Sequence, residues 1–169
     1  MNELLSKINQ TLFFPNKVTI NNLTEEKEST AYDACRFEIN GLKIISRNAK
    51  ITPKKSGQFV TCWKRSEQGI TQPFQDTDSV DLLVINVQSD QRLGQFVFPK
   101  SILIEKGIIS STTKGGKRGL RVYPSWDDPT SKQAIQTQKW QLQYFINLSD
   151  HTDYNSNQAP SFYLYTKKA

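Results

Sequence analysis

The chain has 169 residues, of which 36% are hydrophobic and 11% aromatic, so it can build one domain with a sizeable core and is not a disordered chain. Its net charge of +6 and sequence pI of about 9.3 suit a polyanionic partner such as nucleic acid. No window approaches the roughly 18 consecutive apolar residues of a membrane span, and the start MNELLSKINQ lacks the apolar stretch of a signal peptide. We therefore predict a cytoplasmic protein that does not insert into a membrane.

The cysteine and histidine content argues against a zinc site. Cys35 and Cys62 lie in strand-like apolar runs, there is no CxxC pair, and His151 is the only histidine. Zinc sites draw on several Cys and His side chains at short spacing. A disulfide would need an oxidising compartment, so two buried free thiols are the favoured prediction.

Three elements are predicted before the first clear turn. Apolar residues at helical spacing indicate an amphipathic helix over 3–12, and a short strand is predicted over 17–20. Thr24 followed by two acids predicts a helix over 24–31, because a Thr cap and acidic side chains both favour a helix N-terminus.

The dipeptide Asn40-Gly41, between alternating runs at 32–39 and 42–49, predicts a β-hairpin. Both residues of such a two-residue turn need positive φ, which Asn and Gly adopt most readily. The turn also fixes the register, which pairs Ile39 with Leu42, Phe37 with Ile44, and Cys35 with Ser46.

The remaining chain predicts more strands than helices. The predicted elements are a strand within 57–65, a surface loop over 66–79, a buried strand over 80–88, a strand over 93–99, a short helix over 100–107, a basic loop over 110–119, a strand that begins at 120 and stops at Pro124, a long helix over 129–147 and an edge strand within SFYLYT near the end. We predict a single mixed α+β domain over 1–169, with a core at about 24–147, an N-terminal helix and a tail at 149–169. Its mixed β-sheet is flanked by helices. A restriction-endonuclease-like fold is an alternative, and it rests on the nuclease-like residues described below.

Basic residues concentrate in two windows. Lys43 to Arg65 holds seven bases and no acid, and Lys100 to Arg121 holds six bases and one acid. We predict that a groove formed by these windows binds the phosphates of DNA or RNA, and that three aromatic side chains stack on bases. The predicted phosphate ligands are Arg47, Lys54, Lys55, Lys64, Arg65, Lys114, Lys117, Arg118 and Arg121, and the predicted stacking residues are Trp63, Tyr123 and Trp126.

Beyond the hairpin, the predicted register places Asp33 opposite Asn48, with Lys50 next on the same face. With Glu28 before it, this order resembles the PD-(D/E)xK nuclease core, in which acids hold Mg²⁺ and a lysine helps to activate water. Asn48 occupies the second acid position and lacks its charge, which predicts weakened or lost catalysis. The alternative is a buried polar cluster that ties the preceding helix to the sheet. Mg²⁺ is a predicted cofactor under the nuclease hypothesis alone.

From Glu28 to Phe145 the chain resembles the MepB family. The resemblance rests on ESTAYDACRFEI, RNAKITPKKSGQFVTCWKR, GQFVFPKSIL, KGGKRGLRVYPSWD and TQKWQLQYF. It implies a small cytoplasmic bacterial protein, encoded beside a multidrug efflux pump and the MarR-type repressor of that pump. It implies no active-site residues. Three functions thus stand as hypotheses: nucleic-acid binding first, then a degenerate Mg²⁺-dependent nuclease, then a protein-interaction partner in efflux regulation.

Overall fold

The computed structural model describes residues 1–149 and 158–163 and is built around a six-stranded mixed sheet. The helices are α1 (Glu3–Ile8), α2 (Lys100–Glu105), α3 (Lys132–Gln141) and α4 (Gln158–Tyr163). The strands are β1 (Asn21–Glu25), β2 (Cys35–Ile39), β3 (Leu42–Asn48), β4 (Lys50–Ile51), β5 (Gln58–Thr61), β6 (Trp63–Arg65), β7 (Thr71–Pro73), β8 (Leu82–Ser89), β9 (Arg92–Pro99), β10 (Gly119–Val122) and β11 (Phe145–Asn147).

The central sheet has the strand order β1-β2-β3-β8-β9-β11. Its pairs are antiparallel except β3 with β8, which run parallel. Parallel neighbours need a long crossover connection, and here the crossover carries β4 to β7. β4 and β5 join β10 in a three-stranded sheet, and β6 pairs with β7.

The hairpin prediction is confirmed in both turn and register. Asn40 and Gly41 have φ of 51° and 78°, as the two-residue turn requires. The pairs Ile39 with Leu42, Phe37 with Ile44, and Cys35 with Ser46 all form. Local turn chemistry therefore fixes which side chains of β2 and β3 face each core.

Two apolar cores lie on opposite faces of the central sheet. One packs α1, the π-helical turn Asn9–Phe13 and Tyr163 of α4 against one face. The other packs the three-stranded sheet, α2 and Trp140 of α3 against the opposite face. Strand β8 is buried on both sides over 82–87, which explains its nearly continuous apolar sequence. The molecule is thus a single mixed α+β domain, as predicted.

Two predictions near the N-terminus are wrong. Residues 17–20 do not form a strand, and the strand lies instead at 21–25. Residues 24–31 do not form a helix, since only the 3-10 turn Thr30–Tyr32 follows β1. The reason is tertiary, because Thr24 and Glu25 pair with Arg36 and Cys35 at the sheet edge, and this pairing outweighs the local cap signal.

Two predictions towards the C-terminus also fail in part. The helix predicted over 129–147 ends at Gln141, and Phe145–Asn147 instead pairs with β9 as β11. Within SFYLYT, residues 161–163 belong to helix α4, while 164–166 lie outside the described residues.

The predicted loop over 66–79 contains the short strand β7. The predictions over 80–88, 93–99 and 100–107 are confirmed as β8, β9 and α2 with small shifts.

Cys35 and Cys62 are free and buried, as predicted. None of the helices in the described residues is both long and apolar enough to cross a membrane.

Candidate nucleic-acid interface

A cleft of about 470 Å³ opens between the three-stranded sheet and α3. Four basic side chains line it, namely Lys55, Lys106, Lys117 and Arg121, and none of its described lining residues is acidic. Lys55 comes from the first basic window and the other three from the second. The fold therefore brings parts of both windows into one concavity.

Two glutamine side chains fix α3 as the wall of this cleft. Gln141 is almost fully buried, and its Oε1 accepts a hydrogen bond of 2.9 Å from the backbone N–H of Tyr123. Gln141 Nε2 donates to the backbone carbonyl of Arg121 at 3.0 Å. One turn earlier, Gln138 Nε2 donates to the carbonyls of Pro124 and Asp127. Side chains of α3 thus satisfy backbone groups at the end of β10 and in the segment that follows it.

Two aromatic rings in the cleft are each covered by a cation. The Cζ atom of Arg121 lies 6.0 Å from the ring centroid of Phe59. Lys106 Nζ lies 5.5 Å from the ring of Trp140, which also contacts Phe98 with a centroid separation of 5.4 Å. Gly119 makes room for Phe59, because a Cβ there would lie 2.6 Å from the phenyl ring.

Arg47 is a predicted phosphate ligand that the structure contradicts. Its side chain has no solvent exposure, and Nη2 lies 2.6 Å from Glu26 Oε2. Its Nη1 donates to the carbonyl of Ser46. The same Glu26 also binds Arg36. Because a buried cation needs a paired anion, Arg47 is part of the core and cannot reach a phosphate.

Other predicted phosphate ligands are engaged by protein oxygens. Lys64 Nζ lies 2.6 Å from Asp78 Oδ1, and Arg65 Nε lies 2.8 Å from Glu28 Oε1. Lys114 donates to the Glu105 carbonyl, and Arg118 makes a long contact of 3.4 Å with the Thr71 carbonyl. Lys54 is exposed on the turn before β5, next to Lys55. The cleft itself thus holds Lys55, Lys117 and Arg121 from the predicted set.

Of the three predicted stacking residues, the cleft lining includes Tyr123 and neither tryptophan. Tyr123 lines the cleft but is buried, whereas Trp63 lies outside the lining with Arg65 over its ring. Trp126 packs edge-on against Phe145 in the core. Sequence reasoning missed Lys106, Phe59 and Trp140 as site residues. The sequence does contain a pattern that marks the α3 wall of the cleft. The spacing of Gln133, Thr137, Trp140 and Gln141 is that of a single helix face.

Asp33 and Asn48, from the nuclease-like set, meet at the end of β3. Asn48 Nδ2 donates to Asp33 Oδ2 at 2.9 Å and lies 3.0 Å from Asn2 Oδ1. Asp33 is exposed and has positive φ, so it leaves the β2 ladder before the predicted pairing with Asn48 forms. The side chains nevertheless approach each other as the face prediction implied.

Buried amides extend from Asn48 across the sheet. Asn86 Nδ2 donates to Asn48 Oδ1 at 2.9 Å, and Gln95 Nε2 donates to Asn86 Oδ1 at 2.8 Å. The hydroxyl of Tyr163 in turn donates to Gln95 Oε1. A single directional chain of hydrogen bonds therefore runs from α4 through β9, β8 and β3 to the exposed carboxylate of Asp33.

The structure does not bring Glu28 and Lys50 into this cluster. Glu28 holds Arg65, whose hydrogen bond lowers the pKa of the Glu28 carboxyl. Lys50 Nζ lies 5.3 Å from the ring centroid of Tyr32. Asn48 turns its N–H group toward Asp33 and its oxygen toward Asn86, so the pair offers a metal ion one carboxylate. No three His, Cys, Asp or Glu side chains gather in a metal-binding arrangement within the described part of the chain. These residues do not fit Mg²⁺ as arranged here.

Residues 26–147 match the model of the MepB-like family. The fold is similar to the crystal structure of MepB, with a TM-score of 0.78 and 38% sequence identity over 89% of this chain and 99% of that one. It is also similar to a bacterial homing endonuclease, with a TM-score of 0.47 and 14% identity over 83% of this chain and 87% of the other. A search of curated proteins gave no significant match.

Proposed function

The chain belongs to the MepB-like family, and we propose that it binds nucleic acid through the basic cleft between β10 and α3. One observation carries this proposal. Lys55, Lys106, Lys117 and Arg121 converge on a single concavity whose described lining contains no carboxylate. Arg121 Nη1 donates to the carbonyls of Ser56 and Gly57 at 3.2 and 3.4 Å, so Lys55, Lys106 and Lys117 carry the charge in the cleft that protein oxygens engage least.

Phosphate oxygens are the groups that this lining suits best. Lysine offers a compact ammonium charge, and arginine offers a planar fork of donors that matches a phosphate. Nucleic acid repeats such groups along a chain, so several bases can act on one ligand and release its counterions. Contacts of this kind position a strand without reading its sequence.

Binding of fluorescently labelled single-stranded and duplex oligonucleotides, followed by anisotropy, tests the proposal. Affinity should fall by an order of magnitude or more between about 50 and 200 mM salt. The double variant Lys117→Ala, Arg121→Ala should reduce the slope of log affinity against log salt by about two. Lys139→Ala is the matched control, because Lys139 is exposed on α3 but does not line the cleft. Failure of every oligonucleotide to bind at 50 mM salt would refute the proposal.

The enzymatic alternative, a weak Mg²⁺-dependent nuclease that uses Glu28, Asp33, Asn48 and Lys50, is disfavoured by the geometry, because Glu28 and Lys50 lie outside the Asp33–Asn48 contact. Incubating the protein with plasmid and single-stranded DNA in Mg²⁺ or Mn²⁺ separates it from simple binding. Cleavage that Asp33→Ala abolishes would favour the nuclease. Binding without cleavage would favour the cleft as a binding site alone.

The third alternative is a protein partner linked to drug-efflux regulation. Affinity capture from cells, with and without nuclease treatment, separates this role from nucleic-acid binding. Capture of protein but no nucleic acid would favour it, whereas nuclease-sensitive capture would favour the cleft proposal.

A further inference from the structure

The shape of the basic cleft bears on which form of nucleic acid it accepts. A duplex exposes its base edges within grooves, and proteins read them by inserting a convex helix or ribbon. Here the protein surface is concave, with β10 on one side and α3 on the other, and its volume of about 470 Å³ lies in the range of small-ligand pockets. A base can enter such a pocket only after it leaves its stack.

The lining of the cleft combines charge with two half-buried aromatic rings, Phe59 and Trp140, each with a cation over it. Trp140 is half-buried, and Phe98 packs against it from the core. Lys106 approaches the same ring from outside the core, with Nζ 5.5 Å from the centroid. A phosphate can draw a flexible lysine ammonium away, and the indole face is then free to stack on a base.

Uncharged polar residues lie beside this ring. Thr137 and Gln133 line the cleft from the same face of α3 as Trp140, one turn and two turns earlier in the helix. Gln141, by contrast, engages both its oxygen and its nitrogen in holding the end of β10. The wall is therefore fixed at its C-terminal end, while polar side chains stand near the position that a stacked base would take.

We propose that the cleft holds one unstacked nucleotide of a single strand, with its base stacked on Trp140 and its phosphates on Lys106, Lys117 and Arg121. The inference rests on the proposed nucleic-acid binding and adds the ligand form. A single strand can supply such a nucleotide at little cost, whereas a duplex must first unpair and unstack it. The cleft thus discriminates by strand flexibility rather than by sequence.

The first experiment compares three ligands of equal charge on the unmodified protein at one salt concentration. They are a twenty-nucleotide oligo(dT), an abasic strand of the same length, and a ten-base-pair duplex, all with 5′ phosphates so that each ligand carries the same number of phosphates. We expect the oligo(dT) to bind roughly ten-fold tighter than the abasic strand, which is the scale of one stacked base. It should also bind more tightly than the duplex.

The second experiment assigns the stacking to Trp140. Trp140→Leu keeps apolar packing against Phe98 and should lower oligo(dT) affinity roughly ten-fold while leaving abasic binding unchanged. Trp140→Phe should restore most of the loss. Trp63→Phe with Trp126→Phe leaves Trp140 as the only tryptophan of the three. In that protein, oligo(dT) should quench the indole fluorescence and the abasic strand should not.

The outcomes separate the two proposals. Equal affinity for oligo(dT) and the abasic strand, or an unchanged affinity of Trp140→Leu, would overturn the single-nucleotide inference and leave phosphate binding intact. Tighter binding of the duplex would also overturn it. Absence of binding by all three ligands at low salt would overturn both. If the double Trp variant does not fold, the anisotropy comparison of Trp140→Leu with Trp140→Phe decides alone.

Discussion

Asn48 Nδ2 donates a hydrogen bond of 2.9 Å to Asp33 Oδ2, while Asn48 Oδ1 accepts one of 2.9 Å from Asn86. The orientation of the Asn48 amide is therefore set by its neighbours. Along this row of amide side chains, each oxygen accepts a hydrogen bond and each nitrogen donates one. The N–H group of Asn48 must therefore face Asp33. The residue acts as a donor to a carboxylate at the position where the nuclease pattern expects a second acid.

Asn48→Asp should therefore destabilise the protein at neutral pH. It replaces a donor by a second carboxylate beside Asp33, and we expect a loss of about 2–3 kcal/mol in the free energy of unfolding at pH 7. Repulsion between the two carboxylates favours the binding of one proton in the folded variant. The loss in the free energy of unfolding should therefore shrink as the pH falls towards 5. Urea unfolding at both pH values measures this.

Asn48→Leu is the control for that charge effect, because it also removes the donation to Asp33 but adds no acid, although it removes the acceptor of Asn86 as well. Its destabilisation should be nearly equal at pH 7 and pH 5. A loss for Asn48→Asp that is independent of pH would contradict the close approach of the two side chains.

Tyr163→Phe tests the far end of the amide chain. The Tyr163 ring is buried, and burial raises the pKa of its phenol well above the ordinary value, so the hydroxyl stays a donor. Removing it leaves Gln95 Oε1 buried without that donor, at a cost of about 1–2 kcal/mol. Chemical denaturation measures the difference. Tyr144→Phe, at a ring that packs against Phe98, should lower the free energy of unfolding by less. An equal loss in both variants would contradict the contribution of the hydrogen bond from Tyr163 to Gln95.

Arg47→Ala should cost stability and not ligand affinity. It leaves Glu26 partly buried with Arg36 as its remaining ion-pair partner, and breaking a buried pair typically costs about 3–5 kcal/mol. Thermal unfolding measures the loss, and anisotropy on the folded fraction should give an unchanged salt slope. Lys54→Ala, at an exposed position, is the control for stability and should change it by less than about 0.5 kcal/mol. A reduced slope of log affinity against log salt for Arg47→Ala would show instead that Arg47 contacts the nucleic acid.

Cys62 should resist thiol reagents in the native protein. Burial raises the pKa of its thiol from the ordinary value of 9.0 to about 12. Labelling by a disulfide reagent at pH 8 should therefore be slow until urea is added. The unfolded thiol ionises first as the pH rises above 9, so this group's contribution to stability is complete below pH 9 and is lost towards pH 12. Cys62→Ala should flatten that alkaline decline, and rapid labelling of the native protein would contradict the burial.

Much of the strand arrangement was predictable because its causes are local. Asn40 and Gly41 specify the hairpin turn, and alternation along 35–39 specifies the faces. The apolar run of β8 reflects burial on both sides of the sheet. The helix expected over 24–31 failed because a cap signal is weak against sheet pairing, and the end of α3 was misplaced because β11 gains its partner from distant β9.

The sequence by itself determined that positive charge is concentrated in two windows. Tertiary structure alone decided which of those charges remain available to a ligand. Glu26 neutralises Arg47 and Glu28 holds Arg65, although these partners lie far apart in the chain. Helix α3 closes the cleft with Trp140 and Gln141, which carry no charge to mark them. An ion pair or a pocket wall depends on distances through space, and a one-dimensional charge count contains none of them.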